Sequence, residues 1–304
     1  MAAIRVTQGL LVRRTLNNLN QQLRSLARLQ EQLATGLKVN TPSDDPIAVR
    51  RAVNIRTNMQ KNDQYLTNIG SVQPQLDETV SSIETALDAL QRAKELAIQG
   101  ANGANSQQQL DALASEINQL LEEIMVQSNH QTNGRYVFGG TRTMEPPFVA
   151  TRDASGNITA VAYEGNDERI QVAISDGITV DANEPGSAVF LSEQDLFQVL
   201  IEVRDSLYAG NQAAVQNQLL ADLGQGMDQL LTSMARVGAI QNRLERSSDD
   251  MQEFGVQLQT ALSDTIDADY AETIMNLNAQ SNAFQAALNA GARVIQPSLL
   301  DFVS

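Results

Sequence analysis

The chain has 304 residues, enough for about two domains, and its composition excludes several classes of protein. It has no cysteine and one histidine, so disulfides, thiolate ligands and histidine-based catalytic or metal sites are not expected. A formal net charge of −15 argues against a general nucleic-acid-binding protein. Tryptophan is absent and aromatic residues make up only 4%, which favours helix bundles over β-sandwiches. We therefore predict no cofactor, no metal and no enzymatic activity.

The charge is unevenly distributed along the chain. Residues 1–60 contain nine Lys or Arg and three Asp or Glu, a balance of +6 that leaves −21 for the remainder. Such a basic start is compatible with a membrane surface, but spaced arginines more often form a solvated helix face. No hydrophobic stretch is long enough to span a bilayer, and the first 16 residues lack the apolar core of a signal peptide. We predict no membrane insertion and no cleaved signal.

The first predicted element is a helix from about Thr7 to Thr35, which Gly36 is placed to end. Its apolar residues repeat every seven positions in two rows, as expected of a helix that packs against partner helices. Gln30 is the one polar residue at a position of these two rows. The rows consist of Val12, Leu16, Leu19, Leu23, Leu26 and Leu33.

A second helix is predicted to begin at Pro46, the residue type favoured at a first helical position. Asp45 is then placed as the N-cap, and Asp44 adds negative charge near the positive end of the helix dipole. The aspartate pair is also compatible with a metal site, but no further ligand follows at EF-hand spacing. We therefore favour a helix cap formed by Asp44, Asp45 and Pro46.

The helical pattern continues from Ile47 past Leu90 to a glycine- and asparagine-rich turn at residues 100–106. Ser106 is placed to cap the next helix, whose apolar residues run from Leu110 to Ile124. His130 lies near the end of that helix without a visible catalytic partner. This region predicts a helical hairpin.

After residue 134 the periodicity changes from helix to strand. Residues 135–140 are strand-like, and two hairpin turns are predicted at residues 154–157 and at Asp176-Gly177. Ile170, Val172 and Ile174 alternate, which gives one apolar face. We predict a small β-rich insertion over residues 140–190.

The helices return after Ser192, first in a long periodic run over residues 219–262 and then in a terminal helix from Ile266 to Gln296. The terminal helix has no charged residue from Thr273 to Ala292, and neutral amides lie opposite its apolar rows. A free soluble helix usually carries charges on its outer face, so this helix is expected to be enclosed by other protein. Its two seven-residue rows are Tyr270, Leu277, Phe284 and Gly291, and then Ile274, Ser281, Leu288 and Ile295.

We predict that the rows at the two ends of the chain form an assembly interface. A helix pair inside an ordinary bundle is the alternative interpretation. The predicted interface residues are Leu16, Leu19, Leu23, Leu26, Leu33, Tyr270, Ile274, Leu277, Phe284, Leu288 and Ile295.

Several stretches together resemble the bacterial flagellin superfamily, and in particular its members at the junction between hook and filament. The resemblance covers residues 1–140 and about 190–304, and the insertion carries no motif of the family. The matching stretches are LQEQLATG at 29–36, NTPSDDP at 40–46, AKELAIQ at 93–99, NGRYVFGG at 133–140, DADYAE at 267–272 and SLLDF at 298–302.

The resemblance implies a mainly α fold in three parts. Residues 1–40 and 265–304 would form a terminal coiled coil, residues 41–139 and 191–264 a helical bundle, and residues 140–190 the outermost β-rich domain. It also implies an extracellular structural subunit of the flagellum that is exported by the type III route.

The implied partners are further copies in a ring, the other hook-associated junction protein, flagellin, and an export chaperone at the carboxyl terminus. Two alternatives stay open, namely flagellin itself and a cytoplasmic signalling coiled coil. A signalling rod would have continuous, charge-rich helices, which the insertion and the charge-free terminal helix argue against.

Overall fold

The structure, a computed structural model, describes the backbone of residues 8–295 and the side chains of residues 10 and 12–292. Within this range the chain is mainly helical with a small β-rich insertion, as the sequence predicted. The elements in chain order are α1 Gln8–Thr35, α2 Pro46–Gly100, α3 Gln107–Ser128, β1 Gln131–Thr132, β2 Arg135–Tyr136, β3 Phe148–Arg152, β4 Ile158–Tyr163, β5 Gln171–Ser175, β6 Ile178–Asp181, α4 Gly186–Phe190, α5 Leu196–Tyr208, α6 Gln212–Ala214, a π-helical turn Val215–Leu219, α7 Leu220–Ile266 and α8 Tyr270–Ile295.

The chain divides into two compact units. The first comprises residues up to Lys61 together with those from Phe254 onward, and the second comprises Asn62–Glu253. Helices α2 and α7 each contribute residues to both units. The three-part division at residues 40, 140, 190 and 265 stays a prediction.

The second unit contains two hydrophobic cores. The larger is built by α3 and α5 with parts of α2 and α7, and it includes a cluster of four phenylalanines whose neighbouring rings lie 5.1–5.9 Å apart. Because such rings bury a large apolar area, four of the chain's seven phenylalanines stabilise this one core. They are Phe138, Phe148, Phe190 and Phe197.

The insertion consists of antiparallel hairpins that pack on helices of the same unit. Strands β3 and β4 pair from Phe148 opposite Tyr163, and β5 and β6 pair from Gln171 opposite Asp181. The predicted turns at residues 154–157 and 176–177 connect these strands. Ile174, on the predicted apolar face of β5, is buried in the smaller core against residues of α2 and α7.

The strand predicted at residues 135–140 is shorter than expected and comprises only Arg135–Tyr136. Gly139 and Gly140 turn the chain back, and a Cβ at Gly140 would lie 2.1 Å from the carbonyl oxygen of Asn166. Gly140 also has φ +65°. The backbone therefore approaches its neighbours too closely here for any residue other than glycine.

Two buried charged groups hold the insertion against its helices. Arg204, on α5, donates to the carbonyl oxygen of Ile158 at 2.7 Å and to the side chain of Asn118 at 2.9 Å. The buried Glu184 carboxylate pairs with Arg169 at 3.1 Å and with Arg236 on α7. Because an unpaired buried charge is costly, these contacts favour one placement of the insertion on the second unit.

Candidate assembly interface

Helices α1 and α8 form an antiparallel hairpin in the first unit. A Cβ at Gly291, near the end of α8, would lie 3.0 Å from Thr15 near the start of α1. At the opposite end, a Cβ at Gly36 would lie 2.8 Å from the hydroxyl of Tyr270. The two ends of the chain that carry heptad rows are therefore partners of each other within one copy.

Only one of the two heptad rows of α1 faces α8. The side chains of Val12, Leu19, Leu26 and Leu33 are half-buried in the contact. By contrast, Leu16 and Leu23 of the other row remain 47% and 51% exposed. Thr15, Gln22 and Leu29 take the second row's place against α8.

The same division occurs on α8. Leu277 and Phe284 are half-buried and Gly291 is buried, whereas Ile274 and Leu288 remain 47% and 45% exposed. Tyr270, predicted in the same row as Leu277 and Phe284, is also exposed, and the side chain of Ile295 lies outside the described residues. The second inner row is formed instead by Thr273, Gln280 and Ala287, with Ser281 half-buried beside it.

Small and polar residues explain this arrangement. Gly291 and Ala287 let the backbones of the two helices approach closely, which larger side chains in those positions would prevent. The bulky Ile274 and Leu288 are consequently left on the flank. Sequence reasoning missed Thr15, Gln22, Gln280 and Ala287 because it weighted only apolar size, although the small-residue spacing of 287 and 291 was a usable signal.

The outward rows of α1 and α8 lie on the same side of the hairpin. At about 100° per residue, Leu16 and Leu23 follow the inner row of α1 in the direction of helical rotation. Ile274 and Leu288 follow the inner row of α8 in the same sense. Because the helices run in opposite directions, equal offsets bring the two rows to one side. We call this surface the apolar strip and define it as Leu16, Leu23, Tyr270, Ile274 and Leu288.

The other side of the hairpin is polar. Two open clefts of about 310 and 490 Å³ lie there. Amides and a serine from both helices line the smaller, and the larger is lined by amides, serine and arginine together with alanine and leucine. The Oε1 atom of Gln22 is buried at this contact without a hydrogen-bond partner. The hairpin thus presents two chemically different sides, one apolar and one rich in amides.

A backbone corner closes the open end of the hairpin. Lys38 N–H donates to the carbonyl oxygen of Ile266 at 2.7 Å, and Ala268 N–H donates to that of Gly36 at 2.8 Å. Gly36 has φ +74°, a left-handed conformation that glycine adopts without strain. The corner fixes the start of α8 relative to the end of α1.

The predicted cap residues lie between this corner and the start of α2. Asp45 accepts hydrogen bonds from the N–H groups of Ile47 and Ala48, both at 2.9 Å, in the geometry of an N-cap. Asp44 instead holds the preceding loop, because its carboxylate accepts from Thr41 N–H at 2.8 Å and from the Thr41 hydroxyl at 3.0 Å. These bonds, the backbone one first, lower the pKa of the Asp44 carboxyl from its ordinary value.

No catalytic arrangement emerges among the described residues. His130 pairs with Glu78 at 3.0 Å, and no nucleophile completes a triad with them in the part of the chain that the structure describes. Over the same residues, no group of three metal-ligating side chains converges, and no helix is both long and apolar enough to cross a membrane.

Comparison with known proteins assigns both ends of the chain to one family. Residues 10–143 match the bacterial flagellin N-terminal helical region, and residues 220–303 match the C-terminal helical region. The chain is 30% identical to flagellar hook-associated protein 3 of Escherichia coli K12 over 86% of its own length and 87% of that protein.

A solved structure shares the fold of this chain, and a flagellin shares part of its sequence. Flagellar hook-associated protein 3 of Legionella pneumophila has a crystal structure that shares the fold, with a TM-score of 0.62 and 16% identity over 69% of this chain and 97% of that one. A Salmonella typhimurium flagellin is 30% identical, but over only 55% of this chain and 29% of the flagellin. The chain belongs to the flagellin superfamily and, within it, to the flagellar hook-associated protein 3 family.

Proposed function

We propose that this chain is a structural subunit that joins the flagellar hook to the filament by packing against further copies of itself. The observation that carries the proposal is the apolar strip. Half of each heptad repeat remains exposed after α1 and α8 have paired. Exposed apolar surface of this kind marks protein interaction sites.

Burial of the strip would contribute favourably to assembly. Burying a leucine or isoleucine side chain stabilises by about 1.5–3 kcal/mol, and about half of that remains available at each half-exposed residue. In a ring, every copy makes the same heterologous contact with its neighbour, so the gain from the strip recurs at each contact. Self-association in a ring around the flagellar axis is the arrangement we propose.

The remaining partners follow from a position between two different assemblies. The other hook-associated junction protein would lie on the hook side and flagellin on the filament side. Before assembly, an export chaperone would cover the carboxyl-terminal helix, because its exposed Ile274 and Leu288 would otherwise promote aggregation. We further propose type III export to the cell exterior without a cleaved signal, and a purely structural, non-enzymatic role.

Flagellin itself is the alternative function. Its support is the family resemblance of the terminal regions, while its weakness is the small share of the flagellin sequence that this chain covers. The two roles differ in copy number, since a junction needs a few subunits per flagellum and a filament needs a great many.

Immunogold labelling of isolated flagella tests the role directly. We expect label confined to the boundary between hook and filament, and loss of filaments from hooks when the chain is deleted. Label along the whole filament would establish the flagellin alternative instead.

A pair of neighbouring variants tests the strip. Leu288→Asp places a charge in the strip and should abolish incorporation into the flagellum. Asn289→Asp places the same charge about 100° around the helix, at an exposed position away from the seam, and should be tolerated. Equal incorporation of the two variants would contradict the strip as the contact surface.

A further inference from the structure

Charge in the first unit is segregated between its two chain segments. Residues 46–61 contain four Lys or Arg and no acidic residue, whereas residues 254–292 contain four Asp or Glu and no basic residue. In the part of the chain that the structure describes, none of Arg50, Lys61 and Asp264 takes part in an ion pair. The opposite charges are thus present in one unit but do not pair within it.

The basic residues lie on the outer side of α2. Ala52 and Ile55 are buried on its inner side, while Ile47 and Val53 are among the most exposed large apolar residues described. By helical geometry these two share one side with Arg50 and Lys61. We call Ile47, Arg50, Val53 and Lys61 the basic stripe.

The end of α7 carries a matching surface. Leu258 and Ile266 are buried on its inner side, while Val256 is 67% exposed and is followed at four-residue spacing by exposed Thr260 and Asp264. We call Val256, Thr260 and Asp264 the acidic stripe. Each stripe therefore combines an exposed valine with charged side chains, Arg50 and Lys61 on one and Asp264 on the other. The Lys38 ammonium also lies beside Asp264, since it donates to the Asp264 carbonyl oxygen at 2.6 Å.

The two stripes lie at the same level of the helix pair. The Asn62 side chain on α2 donates to the carbonyl oxygen of Met251 on α7 at 2.9 Å, which fixes their antiparallel register. Counting nine residues along both helices places Val53 level with Thr260, and counting twelve places Arg50 level with Ser263, the residue before Asp264. Both stripes point away from the buried faces of their helices.

We infer that adjacent copies of this chain meet head to tail, the basic stripe of one on the acidic stripe of the next. Two different, complementary surfaces of one subunit form a heterologous contact, the type that closes into rings. Copies placed side by side in the same orientation bring Val53 opposite Thr260 and Arg50 within one residue of Asp264. This inference rests on the proposed self-association and specifies a contact additional to the apolar strip.

Disulfide trapping tests the contact, because the chain has no cysteine of its own. The variant Val53→Cys/Thr260→Cys, oxidised in intact flagella, should give a ladder of covalent multimers on a non-reducing gel. Each single-cysteine variant should stay monomeric, since two copies of one stripe do not meet. Val53→Cys/Ala261→Cys is the matched control, because it moves one cysteine about 100° off the acidic stripe.

Charge exchange tests the specificity of the same contact. In the trapping background, Arg50→Glu should reduce the multimers by roughly tenfold, which corresponds to about 1.4 kcal/mol per contact. Adding Asp264→Arg to the same chain should restore them, because the pair is then reversed rather than lost. Failure of this rescue would overturn the inference.

The possible failures are distinguishable. If the cysteine variant is present at the boundary between hook and filament but gives no ladder, the stripe contact is wrong while the proposed function stands. If the unmodified chain is absent from that boundary, the proposed function fails. A covalent product with the mass of this chain plus a different flagellar protein would assign the stripe to that protein and also overturn the inference.

Discussion

The two compact units bury their apolar side chains to very different extents. In the second unit, four phenylalanines and many leucines and isoleucines are fully buried, and charged groups such as Arg204 and Glu184 are paired inside it. In the first unit, no described residue of α1 is buried, and on α8 only Thr273 and Gly291 are. The second unit therefore has a hydrophobic core of its own, whereas helices α1 and α8 of the first unit leave much of their apolar surface exposed.

Limited proteolysis should show the largest consequence of this contrast. In the isolated chain we expect a protease to remove roughly the first 40 and last 40 residues and to leave a stable fragment. The hairpin lacks the burial needed to offset an ordering cost of about 1–2 kcal/mol per residue. The measurement is mass spectrometry of the fragment, and protection of both termini in a verified monomer would contradict the contrast.

The second unit should be sensitive to loss of a single core side chain. Phe148→Ala removes a buried ring that contacts Tyr163, Phe190 and Phe197, and we expect a loss of about 3–5 kcal/mol in the free energy of unfolding. Urea unfolding followed by circular dichroism measures it. Phe254→Ala, at a 42% exposed position in the first unit, is the control and should change stability far less.

Phe284→Glu should separate assembly from folding. The carboxylate enters the α1–α8 seam, where burial without a partner costs several kcal/mol, and the cost recurs at every copy. We expect filament attachment to be lost while the melting temperature of the second unit stays unchanged. Asn282→Glu, on the exposed side of the same helix, is the control. Normal filaments with Phe284→Glu, or a lower melting temperature of the second unit, would contradict the placement of α8 in the assembly interface.

Gly36→Ala should weaken only the corner of the hairpin. The left-handed backbone costs about 1–2 kcal/mol in a residue with a Cβ, and the added methyl also meets the Tyr270 hydroxyl. We expect faster hydrogen exchange in α8, measured by mass spectrometry, with exchange of α5 unchanged. Gly238→Ala, where an added Cβ meets nothing within 4 Å, is the matched control.

The smallest expected effect is a pH dependence of the same corner. Because the pKa of Asp44 is lowered in the folded state, its contribution is fully present above the unfolded pKa of about 3.9 and is lost as pH falls through the folded value. Amide exchange in residues 37–45, corrected for the intrinsic rate, should therefore increase on acidification. Thr41→Val removes one of the two Thr41 donors and should shift the transition toward higher pH.

Much of this architecture could be predicted from local sequence signals. Helical periodicity gave the long helices, Gly36 the end of the first, Asp45 the start of the second, and the glycine-containing turns the hairpins of the insertion. These features depend on neighbours within a few residues, so the sequence alone contains the physical cause. The expectation that the charge-free stretch from Thr273 to Ala292 is enclosed by other protein stays a prediction.

Only the tertiary structure decided which apolar row faces which partner. A heptad pattern specifies two rows but not their use. Here Gly291 lies against Thr15 and Leu19, while Ile274 and Leu288 remain exposed with Leu16 and Leu23. The collection of four phenylalanines into one core was equally invisible, because those residues are spread over 60 positions of the chain. Contacts between distant residues depend on how whole elements pack, and no local pattern encodes that packing.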